Sequence, residues 1–266
     1  MQVEKHNTNH NIVQENQDIQ REELEKYFTA QTQTEFTSMA GHEMRTSIQA
    51  ILTYSELLQN KHDKSREEYI KAILRNAQRL KMLSENLTDF SKIDSHKMKL
   101  KKEQFDIGAL VATIVKDFEN MNKYNESKIK ITVQSPKQVF VNADAQKLTQ
   151  VILNLLDNAV KFTPDGKISI KLEQDENFVQ VTMTDTGSGI DNKIKQELFN
   201  KFTTSSCSGT GLGLYICKNI IEAHGGKIWA RNNENENGAT FSFVIPENHI
   251  HSNRNYTKFL NSTIKV

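Results

Sequence analysis

Apolar residues fall into two textures along the chain. Between Arg21 and Asn60 they recur at helical spacing: Met44, Ile48, Ile51 and Leu58 stand at heptad-like separations, with the smaller Ser55 filling one step. A polar break, Lys61-His62-Asp63-Lys64-Ser65, follows. A second run from Arg66 to Ile93 then carries Ile70, Ile73, Ala77, Leu80, Leu83, Leu87 and Phe90. Gaps of three and four place these on one stripe, which predicts a helix. Two long helices joined by a short polar turn form an antiparallel hairpin. Each has only a seam to bury, and a lone pair leaves much of it wet. Packing two hairpins into a four-helix bundle covers it, so the pattern predicts a homodimer.

Beyond Lys97 the texture changes. Alternating apolar positions predict strands at Ile129/Ile131/Val133, Ile168/Ile170/Leu172, Val179/Val181/Met183 and Phe241/Phe243/Ile245. Helical patterns occupy 107–122, 145–161 and 212–223. The mixture predicts a sheet with helices on one face, an α/β sandwich, and makes the whole chain α+β. The expected divisions are a polar lead-in over 1–20, a helical hairpin over 21–97, an α/β domain over 98–248 and a polar tail over 249–266.

Composition narrows the classes. The 266 residues carry 34 basic and 33 acidic side chains, a net charge of +1, which leaves no electrostatic footprint for nucleic acid or an anionic membrane. Cys207 and Cys217 have neither metal-ligand nor redox-pair spacing and fit a reducing cytosol. No stretch approaches the ~18 apolar residues of a membrane span. The expectation is a cytoplasmic chain, with any membrane association supplied by a partner or by a missing N-terminal region.

The chemistry begins on the helix over 145–161. Asn154, Asn158 and Lys161 stand at i, i+4 and i+7, on one polar stripe. Asparagine oxygens can enter a hard-cation shell and lysine offers a point charge to phosphate, although such a stripe is as readily a solvated face. Asp185-Thr186-Gly187-Ser188-Gly189-Ile190 follows an apolar strand, where a carboxylate can accept a hydrogen bond from an adenine amino group. Gly209-Thr210-Gly211-Leu212-Gly213-Leu214 opens a helix, whose backbone N–H groups favour phosphate. It lacks the Lys-Ser/Thr ending of a Walker loop.

Their order is more telling than any one motif. NLLDNAVKF (154–162), DTGSGI (185–190), LFNKF (198–202) and GTGLGL (209–214) resemble, in sequence order, the N box, first glycine box, F box and second glycine box of the histidine-kinase-type ATPases. That resemblance implies a Bergerat-type sandwich binding ATP and Mg²⁺, with a lid over 191–208. It assigns Asn158, with Asn154, to the metal, and Asn154 and Lys161 to the metal–phosphate cluster. Asp185 reads adenine, Gly187 and Gly189 shape its pocket, and Gly209, Gly211 and Gly213 wrap the phosphates. Thr240 resembles the residue supporting the adenine-reading Asp. The lid's middle, 203–208, is neutral and so lacks an arginine for the γ-phosphate.

Gyrase, mismatch-repair and chaperone ATPases share such a site, so the first helix decides. His42-Glu43-Met44-Arg45-Thr46-Ser47-Ile48 resembles the H box of the histidine kinase dimerisation domain. The implied activity is autophosphorylation of His42, followed by transfer to an aspartate of a response-regulator receiver domain. His42 lies about 160° around the helix from Met44, hence toward solvent. A solvent-facing imidazole is mostly neutral at cytosolic pH, with one ring nitrogen free to attack phosphorus. Glu43 can accept the other N–H. Thr46 completes the family's Glu-x-x-Thr pattern of kinases that also dephosphorylate their partner. Ser47 stands where the family usually has Pro, predicting a straighter helix, and Gly41 stands where Ser is common. The other histidines, His62 and His224 among them, are expected at the surface. The rival readings are an inactive scaffold that binds ATP and regulates by heterodimerising, and an ATPase clamp. Transfer within a subunit or across the dimer depends on the handedness of the turn at 61–65, which the pattern leaves open.

Overall fold

The computed structural model describes residues 38–59, 65–95, 97–122, 128–175, 177–204, 210–234 and 237–247. The lead-in, the tail, Cys207, Gly209 and most of the 61–65 turn lie outside the described residues.

Helix α1 covers 38–58 and α2 covers Arg66–Asp94. Glu67 and Glu68 in the first turn of α2 and Lys92 in its last complement the helix dipole. The expected hairpin is present, and most of its predicted apolar positions lie on the covered side. Ala40, Met44, Ser47, Ile51, Tyr54 and Leu58 form the covered stripe of α1, and Tyr69, Ala72, Asn76, Leu80, Leu83, Leu87 and Phe90 that of α2. Ile48 and Ile70 are 48% and 47% exposed, part of the seam that a lone hairpin leaves wet. Within the pair Ser47 and Ala72 are buried, and the Tyr54 and Tyr69 rings lie tilted with their centres 5.8 Å apart.

The α/β half follows as β1 (Glu103–Asp106), α3 (Ile107–Asn122), β2 (Lys128–Gln134), β3 (Phe140–Ala143), α4 (Ala145–Phe162), β4 (Asp165–Gln174), β5 (Phe178–Asp185), α5 (Gly213–Ala223), β6 (Lys227–Asn232) and β7 (Ala239–Pro246). The main sheet has the order β2-β4-β5-β7-β6, with β2 and β4 parallel and the other neighbours antiparallel. A separate two-stranded ladder pairs β1 with β3. Val179, Val181 and Met183 alternate into the core, where they meet Leu148, Ile152 and Leu155 of α4 and Ile216 and Ile220 of α5. The predicted strands and helices are all found; β1, β3 and β6 are additional.

His224 corrects one expectation. It is 3% exposed rather than on the surface. Its Nδ1–H donates to the Ile220 carbonyl at 2.7 Å, and its Nε2 accepts from the Asp144 N–H at 3.0 Å. Each partner has a single role, so the tautomer is set and the ring is held neutral. Burial pushes its pKa down, helped by Lys102 and opposed by the Ile220 carbonyl and Asp144.

The two halves meet along α2. Asp89, buried, pairs with Lys147 at 2.5 Å, and buried Asn86 accepts from Gln150 at 3.0 Å. Phe90 packs on Phe202 and Tyr215 at 5.6 and 6.2 Å, and the Lys201 ammonium lies 5.5 Å from its ring centre.

Candidate nucleotide and phosphoacceptor site

Helix α4 begins on Asp144, whose carboxylate accepts from the Lys147 N–H at 3.0 Å as an N-cap. One face of the helix is spent on the core. The polar stripe beside it borders a cleft of about 670 Å³, which Asn154, Asn158 and Lys161 help to line. Asn154 is the deepest of the three: it lies under Gly213, the first residue of α5, and its Nδ2 has no hydrogen-bond partner. Cys217 lies against it, and burial pushes that thiol up to about 12, leaving it inert. Asn158 is half-buried and Lys161 opens to the cleft. Desolvation by the cleft wall lowers the Lys161 pKa, with Glu43 countering and Arg79 adding to the shift.

Asp185 ends β5 in the opposite wall. Its Oδ1 accepts from the N–H groups of Gly187 and Ala239, at 2.9 and 3.2 Å. Burial raises its pKa, and these two donors offset part of the rise. Gly187 sits where a Cβ would overlap the Phe162 carbonyl oxygen, so the loop presses directly on the end of α4. Asn232 then clamps Ile190 from both sides, accepting from its N–H at 2.6 Å and donating to its carbonyl at 2.9 Å. Thr240 turns to Thr184, at 3.0 Å, and donates to Asn233 at 2.7 Å; Asn233 in turn donates to the Asp185 carbonyl at 2.9 Å. Its link to Asp185 thus runs through Asn233 and the backbone, not to the carboxylate.

After a 3₁₀ turn at Lys195–Glu197 the chain reaches Phe202, which has φ 64°. Gly211, at φ 65°, lies against the Phe202 backbone where any Cβ would collide. Gly211 and Gly213 bring the start of α5 into the cleft beside Asn154.

Glu43 also lines the cleft, near enough to Lys161 to act on its charge, and is bonded to Arg79 of α2 at 3.4 Å. His42 is exposed, next to it on α1. Thr46, also exposed, donates its hydroxyl to the His42 carbonyl at 2.9 Å. Ser47 is buried in the hairpin seam, and a Cβ at Gly41 would meet nothing within 4 Å. The structure therefore gathers Glu43, Asn154, Asn158, Lys161, Asp185, Gly189, Gly211 and Gly213 around one cleft. Gly187 and Thr240 stand behind its wall.

Residues 143–249 match the family of histidine kinase-, DNA gyrase B-, and HSP90-like ATPases, and residues 32–96 match the His Kinase A (phospho-acceptor) domain. The catalytic domain of histidine kinase ThkA is 35% identical over 56% of this chain and 97% of its own, with a TM-score of 0.51. The chain belongs to the sensor histidine kinases of two-component systems. Among curated relatives, the sensor protein KdpD of Clostridium acetobutylicum is 37% identical over 78% of this chain and 24% of its own. A second ThkA structure, in complex with response regulator protein TrrA, has a TM-score of 0.54 at 29% identity, covering 82% of this chain and 63% of that one. The chain spans only 24 to 37% of the length of the first curated relatives it matches.

The motifs left several charged residues of the cleft unnamed, Asp157 and Arg79 among them. Asp157 lies within the N box, keeps contact with solvent, and is pushed up to about 6 by the protein around it, with Arg79 opposing. Arg79 itself lies on the flank of α2; its i+7 and i+10 relations to Asn86 and Asp89 were the available signal. Among the described residues no group of three His, Cys, Asp or Glu could hold a metal. Asn154 and Asn158 bring amide groups to the cleft, and an amide oxygen is a donor that suits a hard cation. Also among the described residues, no helix is long and apolar enough to cross a membrane.

Proposed function

We propose that this chain is an ATP-dependent protein-histidine kinase, which phosphorylates His42 and passes the phosphoryl group to an aspartate on a response-regulator receiver domain. The observation that carries the reading is the shared cleft: Glu43 of the H box stands in the same cavity as Asn158 and Lys161 of the N box.

Asp185 accepts the adenine amino group, its carboxylate oriented by the Gly187 and Ala239 N–H groups. The N–H groups at the start of α5 and the Lys161 ammonium take the phosphate charge. Asn158 and Asn154 would hold Mg²⁺ together with the phosphates, and the ion would supply further charge neutralisation there. His42 attacks with its free ring nitrogen: the N–P bond forms as the bond to the β,γ-bridging oxygen breaks, and ADP leaves with that electron pair. Glu43 accepts the other imidazole N–H, orienting the ring and stabilising its developing positive charge. Gly187 and Gly189 shape the base pocket, Gly209, Gly211 and Gly213 wrap the phosphates, and Thr240 steadies Asp185 through Asn233.

The partner reading draws support from ThkA, solved with its response regulator. Homodimerisation is supported by the apolar residues the hairpin leaves exposed, Ile48, Leu52, Ile70 and Leu74. The site of action is the cytoplasm, where ATP and receiver domains meet. Thr46 positions a water for dephosphorylation of the partner; Thr46→Ala keeping full phosphatase activity would sink that role.

Incubation with γ-labelled ATP and Mg²⁺ tests the whole. Acid-labile, alkali-stable label is expected on the wild type and absent from His42→Ala. Nucleotide binding without such label on the wild type overturns the kinase reading.

A further inference from the structure

The nucleotide half is fastened to a helix of its own chain, by groups that cannot be left alone. Asp89 and Asn86 are 2% and 8% exposed, and α4 answers them with Lys147 and Gln150. A buried carboxylate stripped of its cation is strongly unfavourable, and a buried amide without a partner is costly too. The pairing therefore specifies which way the two helices lie. Partners rise by three residues on α4 as they fall by three on α2, so the seam is antiparallel.

That direction carries the end of α4 toward the H box. Further along the same two helices, Arg79 of α2 lines the cleft with Asp157 and Asn158 of α4, and Arg79 also bonds Glu43 at 3.4 Å. The phosphate end of the cleft, with Lys161, thus faces the Glu43 of its own subunit, one residue from His42. Phe90 against Phe202 and Tyr215 holds the lid end of the same interface. The chain's own α1, rather than that of a second copy, lies beside the cleft, because Glu43 lines it and bonds Arg79.

We infer that the phosphoryl group reaches His42 from the nucleotide bound by the same subunit. This rests on the kinase reading above. Transfer across a dimer would require the cleft to give up Glu43 of its own chain and take the H box of a second copy in its place.

Differently tagged chains separate the routes. One carries His42→Ala and the other Asn158→Ala; they are co-expressed, isolated through both tags and given γ-labelled ATP and Mg²⁺. The expected result is loss of label to the level of a homodimer carrying both substitutions. A wild-type chain paired with the doubly substituted one keeps its label. Acid-labile label on the Asn158→Ala chain overturns the inference. A wild-type homodimer that takes no label overturns the kinase reading instead, and is seen separately. A second measurement needs no activity: Asn86→Cys with Gln150→Cys, in a Cys207→Ser background, is treated with a short bifunctional thiol reagent. An internal crosslink running as a monomer on a denaturing gel is expected. A covalent dimer, or no crosslink, overturns the seam on which the inference stands.

Discussion

The nucleotide-binding half and the hairpin solve burial in opposite ways. Among the described residues, the buried apolar side chains run almost entirely from Ile107 to Ile245, and the hairpin adds only Ala40, Ala72 and Leu83. The hairpin instead exposes Ile48, Leu52, Ile70 and Leu74 while burying Ser47, Asn86 and Asp89. Asn86 and Asp89 are satisfied by α4. One half therefore carries its own stability, and the other draws on whatever packs against it. That difference suits a signalling device: a rigid domain must hold ATP geometry, while a helix pair with weak self-sufficiency can change partners.

The largest effect should come from the self-sufficient half. Ile152→Ala, at a site 1% exposed between α4 and the sheet, is expected to cost about 2–5 kcal/mol in denaturant unfolding. A loss below ~0.5 kcal/mol, the range of ordinary surface changes, would break the comparison. Gly211→Ala comes next. Left-handed backbone costs an ordinary residue about 1–2 kcal/mol, and the Phe202 backbone leaves no space for the methyl group. The start of α5 must then shift, so nucleotide affinity is expected to fall about tenfold or more, measured by equilibrium binding. Unchanged affinity would mean that this turn does not hold the phosphates.

The α/β half was legible because its strands alternate cleanly and its motifs occur in order. What escaped was whatever the pattern codes as polar. β1 (Glu103–Asp106) and β3 (Phe140–Ala143) are four-residue strands paired off the main sheet, too short for alternation to show. Asn86 and Asp89 stand beside the apolar stripe of α2 and carry no motif, although they are residues that dock the two halves. His224 left no signature at all, since both of its partners are backbone groups brought in by the fold. The site suffered less: its motifs named the α4, β5 and α5 residues, but Arg79 and Asp157 meet only when the halves dock.

His224 offers a subtler test of the self-sufficient half. Its folded pKa lies below the ordinary imidazole value of 6.5, so below that value the unfolded chain binds more protons than the folded one. Stability is then fully present above the ordinary value and is lost as pH falls toward the depressed folded pKa. Protonation puts a second N–H on the ring facing the Asp144 N–H, and undoes the tie between the start of α4 and the end of α5. Thermal unfolding should show a lower Tm at about pH 5.5 than at about pH 7.5, each kcal/mol lost shifting it by about 2–4 °C. His224→Gln, which can donate and accept as the neutral ring does, should flatten that difference. An equal pH dependence in the variant would remove His224 as its source.

The smallest effect on folding belongs to the hairpin's outer face. Leu74 is 54% exposed, so Leu74→Ser should change the unfolding free energy of the dilute, dissociated chain by no more than ~0.5 kcal/mol. Combined with Ile48→Ser, the same change should weaken self-association, read by sedimentation across a concentration series. These two results together sharpen the comparison, because they separate residues that hold a chain folded from residues that await a second copy. If the double variant sediments as the wild type does, the exposed stripe is not the dimer face. If it unfolds the dilute chain, the hairpin is more self-sufficient than its buried asparagine and aspartate suggest, and its dependence on α4 must be smaller.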